Sequence, residues 1–155
     1  MKKIILFLFL FFVIIKANAQ SYSYIKPSLV VWEVENSKIS LKKGLNGITS
    51  PNELKLSLYF KSNDVKNYLT QGVVLQFRWY YYLSTRKKLV KVENIPFSKA
   101  HNNNDGSISI SSTLRGVQPG WWEVQVLSTT DRKRISYAGI DRYQIFILPR
   151  SYTLR

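Results

Sequence analysis

The stretch Val73–Leu83 constrains the fold most, because its side chains alternate in character with a period of two residues. Successive side chains of a β-strand point to opposite faces of a sheet, so this alternation predicts a strand with one buried face. The buried face would carry Leu75, Phe77, Trp79, Tyr81 and Leu83. The opposite face would carry Gln76, Arg78, Tyr80 and Tyr82. After residue 19 no stretch has a convincing helical period, which favours an all-β protein.

Seven further stretches read as strands, most of them bounded by turn-forming residues. They are Leu29–Val34, Lys38–Leu41, Leu54–Phe60, Leu89–Ile95, Ser107–Ser112, Trp121–Ser128 and Arg134–Leu148. The last strand is expected to bend near Gly139, and Ser62–Gly72 to form a polar loop with one helical turn at Val65–Leu69. Short strands with turns about every ten residues predict an immunoglobulin-like antiparallel β-sandwich of about seven or eight strands, with a small barrel as the alternative. Its centre would hold Phe77, Trp79, Trp122 and Val124.

Two parts of the sequence resemble immunoglobulin-like and fibronectin-type sandwiches. The stretch from Leu114 to Val126, with Pro119-Gly120 and alternating valines, is similar to the corner where the chain of these families crosses between sheets. Trp122 stands where the family usually has the tyrosine of its tyrosine corner. An indole N–H donates along a different direction from a phenol, so the hydrogen bond of that corner is an open question. Trp79 resembles the buried tryptophan of the third strand.

The combination of Phe77-Arg78-Trp79-Tyr80 with a later Gly-Trp-Trp-Glu-Val stretch resembles a bacterial envelope domain family of unknown function. The resemblance covers Leu54 to Ile147. It implies a sandwich fold and an envelope location. Its shared residues are core residues, so it implies no activity, and fold alone does not specify one.

The first 19 residues have the order of parts of a cleavable signal peptide. Lys2 and Lys3 precede the apolar run Ile4–Ile15, and Ala17-Asn18-Ala19 supplies the small residues that a signal peptidase accepts. We therefore expect residues 1–19 to be a leader and residues 20–155 to be a single domain with its core at about 27–148. The chain has no Cys, which excludes a lipoprotein. The predicted location is periplasmic or extracellular, with no stable membrane span once the leader is removed.

Basic residues outnumber acidic ones strongly, with 23 Lys and Arg against nine Asp and Glu. Loss of three lysines with the leader would lower the formal net charge from +14 to +11. Such a charge suits anionic partners, but export argues against nucleic acid. The cations are also spread along the chain, with local clusters only at Arg86–Lys88 and Arg132–Arg134.

No set of residues in the sequence specifies a catalytic, metal or cofactor site. His101 is the only His, and its loop contains one acid, whereas calcium loops need several oxygen ligands. No Gly-x-Ser-x-Gly elbow or glycine-rich phosphate loop occurs. A small two-carboxylate hydrolase stays open as an alternative, since paired acids can lie far apart in sequence. The sequence therefore predicts no catalytic residue, no metal and no cofactor.

The most promising binding surface is the outward face of the central strands. If the third, sixth and seventh strands pair as in immunoglobulin-like folds, one face would collect a set of aromatic and charged side chains. The predicted binding residues are Arg78, Tyr80, Tyr82, Trp121, Glu123 and Arg142, with Gln125, Gln144 and Phe146 beside them. Arg78 and Glu123 would form a cross-strand ion pair. Exposed aromatics mixed with Arg are typical of protein interfaces, so an envelope protein is the expected partner. A glycan is the alternative partner. In a third interpretation a loop or the long N-terminal segment covers this face, and its aromatic side chains serve only in packing.

Overall fold

The computed structural model of the protein describes residues 22–34, 37–40, 48–49 and 51–149. The expected leader with its cleavage position and residues 150–155 lie outside these residues. Within them the chain forms ten strands and one α-helix, α1 (Ser62–Thr70), with a 3-10 turn at Phe97–Lys99. The strands are β1 (Leu29–Val34), β2 (Ser37–Ser40), β3 (Ile48–Thr49), β4 (Glu53–Lys61), β5 (Val74–Leu83), β6 (Arg86–Pro96), β7 (His101–Asn102), β8 (Ser107–Arg115), β9 (Gly120–Ser128) and β10 (Tyr143–Leu148).

These strands form two sheets. The first sheet has the order β2-β1-β4-β8-β7, and the second has the order β3-β10-β9-β5-β6. Neighbouring strands are antiparallel, except that β3 pairs with β10 in parallel. The fold is an all-β antiparallel sandwich, as predicted, and is compatible with an immunoglobulin-like one. Eight of the strands correspond to the eight predicted stretches, and the two-residue strands β3 and β7 are additional.

The core lies between the two sheets and contains the four residues predicted for its centre. Phe77, Trp79, Trp122 and Val124 are all buried. Trp79 meets Trp32 of the first sheet edge-on, with the ring centroids 5.8 Å apart. Because this contact joins β1 to β5, it fixes the two sheets against each other. Removing one such ring would cost about 3–5 kcal/mol.

Most of the segment between β4 and β5 is the helix α1. The single helical turn predicted within a polar loop was therefore too short. Val65 and Tyr68 are three residues apart and therefore share one face of α1, and both are buried. The Tyr68 ring lies 6.1 Å from that of Phe60 and 5.0 Å from that of Phe97. This aromatic contact holds α1 over one end of the sandwich.

The predicted last strand, Arg134–Leu148, was too long, and only its second half belongs to β10. A tight turn occupies the middle of the range, where Ala138 and Gly139 both have positive φ, at 51° and 80°. Tyr137 and Ile140 close this turn through two backbone hydrogen bonds of 2.9 Å. The bend expected at Gly139 is therefore a complete reversal of the chain.

The sequence left open whether Trp122 forms the hydrogen bond of a tyrosine corner, and the structure contains a bond of this type. Its indole N–H donates to the carbonyl of Gln118, four residues upstream, at 2.8 Å. Tyr81 packs against the same indole and donates to the carbonyl of Pro119 at 2.7 Å. Gly120 is required at this point, because a Cβ there would lie 2.9 Å from the Tyr81 hydroxyl. The turn before β9 is thus fixed by two aromatic side chains.

The edge strand β6 carries charged residues on the side that faces the first sheet. Trp79 donates to the Ser112 hydroxyl at 2.8 Å, and Ser112 donates to Glu93 at 2.6 Å. Lys91 reaches Glu93 and the carbonyl of Thr113, at 2.7 Å each. A bulge also interrupts the pairing of β6 with β5 beside Trp79. These bonds link the two sheets along one open side of the sandwich.

Candidate binding face

The structure brings the predicted binding residues together on the outer face of the second sheet. Four strands contribute, in the order β10-β9-β5-β6. Tyr80 lies opposite Glu123, and Arg78 lies opposite Gln125. Trp121 lies opposite Phe146 on β10. We call this surface the aromatic face, and define it by Arg78, Tyr80, Tyr82, Lys87, Leu89, Val92, Trp121, Glu123, Gln125, Gln144 and Phe146.

Glu123 lies at the middle of the aromatic face and is completely buried, with 0% of its surface exposed. Its carboxylate accepts hydrogen bonds from Tyr82 at 2.6 Å, Gln125 at 2.6 Å and Gln144 at 3.0 Å. It also forms an ion pair with Lys87. Burial by itself would raise the pKa of Glu123, but the hydrogen bonds from these four partners outweigh it and lower the pKa to about 2. Glu123 is therefore a fixed anion that neighbouring side chains satisfy.

The ion-pair partner predicted for Glu123 was wrong, because Lys87 takes the place expected for Arg78. The β5–β6 hairpin places Lys87 opposite Tyr82, and from there its side chain lies over the sheet. Arg78 instead donates from Nε to the side chain of Gln76 at 2.6 Å. The register of this hairpin includes a bulge, which the sequence does not reveal.

Lys87 also covers the tyrosine rings at the centre of the aromatic face. Its ammonium lies 4.0 Å from the ring centroid of Tyr80 and 5.9 Å from that of Tyr82. These distances are typical of cation–π contacts. Tyr80 and Tyr82 are therefore engaged in contacts within the domain and do not form an open, flat platform with Trp121.

The exposed apolar area lies to either side of this closed centre. On β6, Leu89 and Val92 are 49% and 46% exposed, and on β9 Trp121 is 43% exposed. Trp121 packs against Phe146 with the ring planes inclined at 49°. Sequence reasoning missed Leu89 and Val92. They lie opposite Tyr80 and Arg78 and share the outward side of β6 because Val90 between them is bulged and unpaired. Simple alternation would place two residues three positions apart on opposite faces, so no pattern in the sequence indicates this pair.

A small depression lies at the Trp121 end of the aromatic face. It has a volume of about 240 Å³ and is lined by Tyr82, Ser84, Trp121 and Gln144. The remaining predicted residue, Arg142, is exposed just before β10. Its charge lowers the pKa of Tyr82, although burial and the contact with Glu123 dominate and raise that pKa. Arg142 therefore stands at the rim of the face.

The described residues contain two larger clefts, each lined by one carboxylate. One has a volume of about 590 Å³ and includes Glu53; the other has a volume of about 410 Å³ and includes Glu33. His101 lies in β7 at the second cleft, and Asp105 accepts hydrogen bonds from Ser107. Over residues 22–34, 37–40, 48–49 and 51–149, no three His, Asp or Glu side chains are grouped so as to hold a metal ion.

Comparison of the sequence with protein-family models and with curated proteins gives no match. Among the residues that the structure describes, no helix is long and apolar enough to cross a membrane. Function is therefore inferred from the geometry of the two sheet surfaces.

Proposed function

We propose that the protein is an exported, non-catalytic domain of the bacterial cell envelope that binds another protein through its aromatic face. The observation that carries the proposal is the exposure of Leu89, Val92 and Trp121 on one four-stranded surface. Large exposed apolar side chains that share one surface and are interleaved with polar ones are typical of interaction sites. The N-terminal leader pattern supports export.

The polar centre of the aromatic face fits a protein interface. Glu123 has its hydrogen bonds and its charge satisfied before any partner arrives. A partner could therefore cover it without leaving a new unpaired charge, which is the usual cost of burying a carboxylate. Trp121 and the exposed aliphatic residues would supply the apolar contacts that dominate binding energy.

The charge around the aromatic face indicates what kind of protein would dock there. Arg142 is exposed at its margin and Arg78 is half-buried within it, while the charge of Glu123 is already balanced by Lys87. Interfaces match potentials of opposite sign, which accelerates association and excludes wrong partners. The partner surface would therefore have apolar areas that meet Trp121 and the exposed residues of β6, and an acidic rim.

The immunoglobulin-like assignment rests on strand order and on the turn before β9. The three main strands β1, β4 and β8 form one sheet, and β10, β9, β5 and β6 form the other. The bond from Trp122 to the carbonyl of Gln118 acts as a tyrosine corner acts in immunoglobulin-like domains. This supports the resemblance to a bacterial envelope domain family, from which the envelope location comes.

The test is capture and direct binding with a face variant and a matched control. The face variant carries Leu89→Ser and Trp121→Ala, and the control carries Leu69→Ser and Tyr22→Ala, which are also exposed but lie elsewhere. Crosslinking in intact cells identifies the partner, whose purified form is then titrated against each variant. We expect the face variant to weaken binding at least about tenfold and the control to retain it. Equal binding by both variants contradicts the proposal.

A glycan is the second candidate, supported by the depression beside Trp121. Its lining combines Tyr82 and Trp121 with Ser84 and Gln144, which offers a ring for stacking and polar groups for sugar hydroxyls. Titration of tryptophan fluorescence with envelope oligosaccharides separates the two candidates. The glycan is favoured if an oligosaccharide quenches the fluorescence saturably, if Trp121→Ala abolishes this quenching, and if crosslinking finds no protein partner.

A further inference from the structure

The outer face of the first sheet carries a second set of aligned polar side chains. Glu33 on β1 lies between Lys38 on β2 and Lys55 on β4. Two residues further along β4, Ser57 lies opposite Ser111, and the two hydroxyls are 2.7 Å apart. These rows are set by strand register, because directly opposite residues on one face are neighbours.

The next row of this face extends the polar surface to β7. Tyr59 lies opposite Ser109, which in turn lies opposite His101. The Tyr59 hydroxyl is the link between the rows, since it donates to Glu33 at 3.1 Å and accepts from Lys38 at 2.9 Å. The Lys38 ammonium also lies 5.1 Å from the Tyr59 ring centroid.

The cleft that contains Glu33 is built from these rows. Its lining residues are Glu33, Lys38, Lys55, Tyr59, Lys99, His101, Asn103, Ser109 and Ser111. At about 410 Å³ it falls within the size range of small-molecule sites. Such sites are usually lined by apolar side chains, whereas this lining consists of ammonium, imidazole, amide, hydroxyl and carboxylate groups around one tyrosine ring. A ligand would have to be polar.

The balance of charge in the cleft is positive. Three lysines face one glutamate, and Glu33 is already paired with Lys55 at 2.9 Å. Burial would raise the pKa of Glu33, but hydrogen bonds from Ser57, Lys55 and Tyr59 lower it, so Glu33 stays ionised and held. Asp105 interacts with Lys38 from the neighbouring loop. Lys38 and Lys99 are exposed at the cleft.

We propose that this cleft binds an acidic sugar unit, that is, a sugar bearing a phosphate or a carboxylate. Lys38 and Lys99 would contact the oxyanion, because ammonium groups form strong, charge-assisted hydrogen bonds with such oxygens. The side chains of Ser109, Ser111 and Asn103 would take the ring hydroxyls, since they offer both donors and acceptors. This site lies on the opposite sheet from the aromatic face and is independent of the proposed function.

Calorimetric titration of the purified protein tests the proposal with four probes: glucose 6-phosphate, glucuronate, glucose and inorganic phosphate. We expect at least one acidic sugar to bind about tenfold or more tightly than both glucose and phosphate. Which acidic sugar binds better identifies the preferred anion. Lys38→Gln with Lys99→Gln should weaken that binding at least about tenfold.

The matched control is Lys61→Gln with Lys66→Gln, which removes the same charge from exposed positions outside the cleft. It should change the affinity by less than about twofold. Three results would overturn the proposal: phosphate binding as tightly as the sugar phosphate, equal weakening by the two pairs of substitutions, or no heat from either acidic sugar at about 10 mM. The Leu89→Ser, Trp121→Ala variant should titrate as the unmodified protein does, which separates this site from the aromatic face.

Discussion

The outer faces of the two sheets each place a glutamate among polar partners, but they bury it to different extents. On the second sheet, the side chain of Glu123 is 0% exposed and is bonded to Lys87, Tyr82, Gln125 and Gln144. On the first sheet, the side chain of Glu33 is 20% exposed and paired with Lys55, whose own side chain is 36% exposed. The contacts around Glu123 organise a closed surface suited to docking on the second sheet. Those around Glu33 leave an open, charged cleft on the first sheet. A sandwich can therefore present two chemically distinct surfaces.

The comparison predicts that removing Glu123 costs far more stability than removing Glu33. Glu123→Ala leaves the donors of the buried Gln125 and the half-buried Tyr82 without their acceptor and removes the charge partner of Lys87, which should cost about 3 kcal/mol. Glu33→Ala breaks a partly exposed pair and should cost about 1 kcal/mol or less. Urea unfolding of both variants measures the difference. Equal losses would show that the two sites are energetically alike.

Acid should destabilise the protein through Glu123 in particular. Its pKa is lowered from 4.5 to about 2 in the folded protein. A lowered folded-state pKa gives stability that is fully present above pH 4.5 and is lost as the pH falls towards 2. Between pH 7 and pH 3 the loss should be about 2 kcal/mol.

The control for this pH dependence is Glu123→Gln, which cannot ionise at that position. Glu33, Glu93 and Asp131 also have lowered pKa values, so some acid sensitivity persists in this variant. Urea unfolding at the two pH values should show a smaller change for the variant than for the unmodified protein. If the variant and the unmodified protein lose the same stability between the two pH values, the pKa of Glu123 is not lowered in the folded protein.

A smaller effect comes from deleting the tyrosine hydroxyl that contacts each glutamate. Tyr82→Phe removes a bond to a buried charge and should cost about 2 kcal/mol. Tyr59→Phe removes bonds to Lys38 and Glu33, where water can take the place of the hydroxyl, and should cost about 0.5 kcal/mol. Thermal unfolding of the two variants compares the same chemical change on the two faces. A larger fall in melting temperature for Tyr59→Phe than for Tyr82→Phe would contradict this comparison of the two faces.

The two-residue alternation was sufficient to predict the sandwich and its central residues. Alternating side chains report burial directly, which is why Phe77, Trp79, Trp122 and Val124 were found. The adjacency of Tyr80 and Glu123 came from the resemblance to immunoglobulin-like strand pairing. Lys87 was missed, because its position over the face depends on how tightly the chain turns at Ser84-Thr85: with only these two residues between the strands, Lys87 pairs opposite Tyr82.

The cleft on the first sheet could not be assembled from sequence. Glu33, Lys38 and Lys55 are neighbours only because β1 pairs with both β2 and β4 in one particular register. A shift of one residue would turn Lys55 to the other face of the sheet. The extent of α1 was underestimated for a related reason: Tyr68 gains part of its buried environment from Phe97, which is distant in sequence.

The charges on the inward side of β6 affect how copies of the domain behave at high local concentration. An edge strand of 11 residues would otherwise be a template onto which another chain could add a strand. Lys91 and Glu93 discourage such growth, because they are committed to the neighbouring sheet and the bulge beside them breaks the regular row of backbone groups. The domain can thus keep apolar side chains exposed on its second sheet while resisting conversion into an extended fibrous assembly.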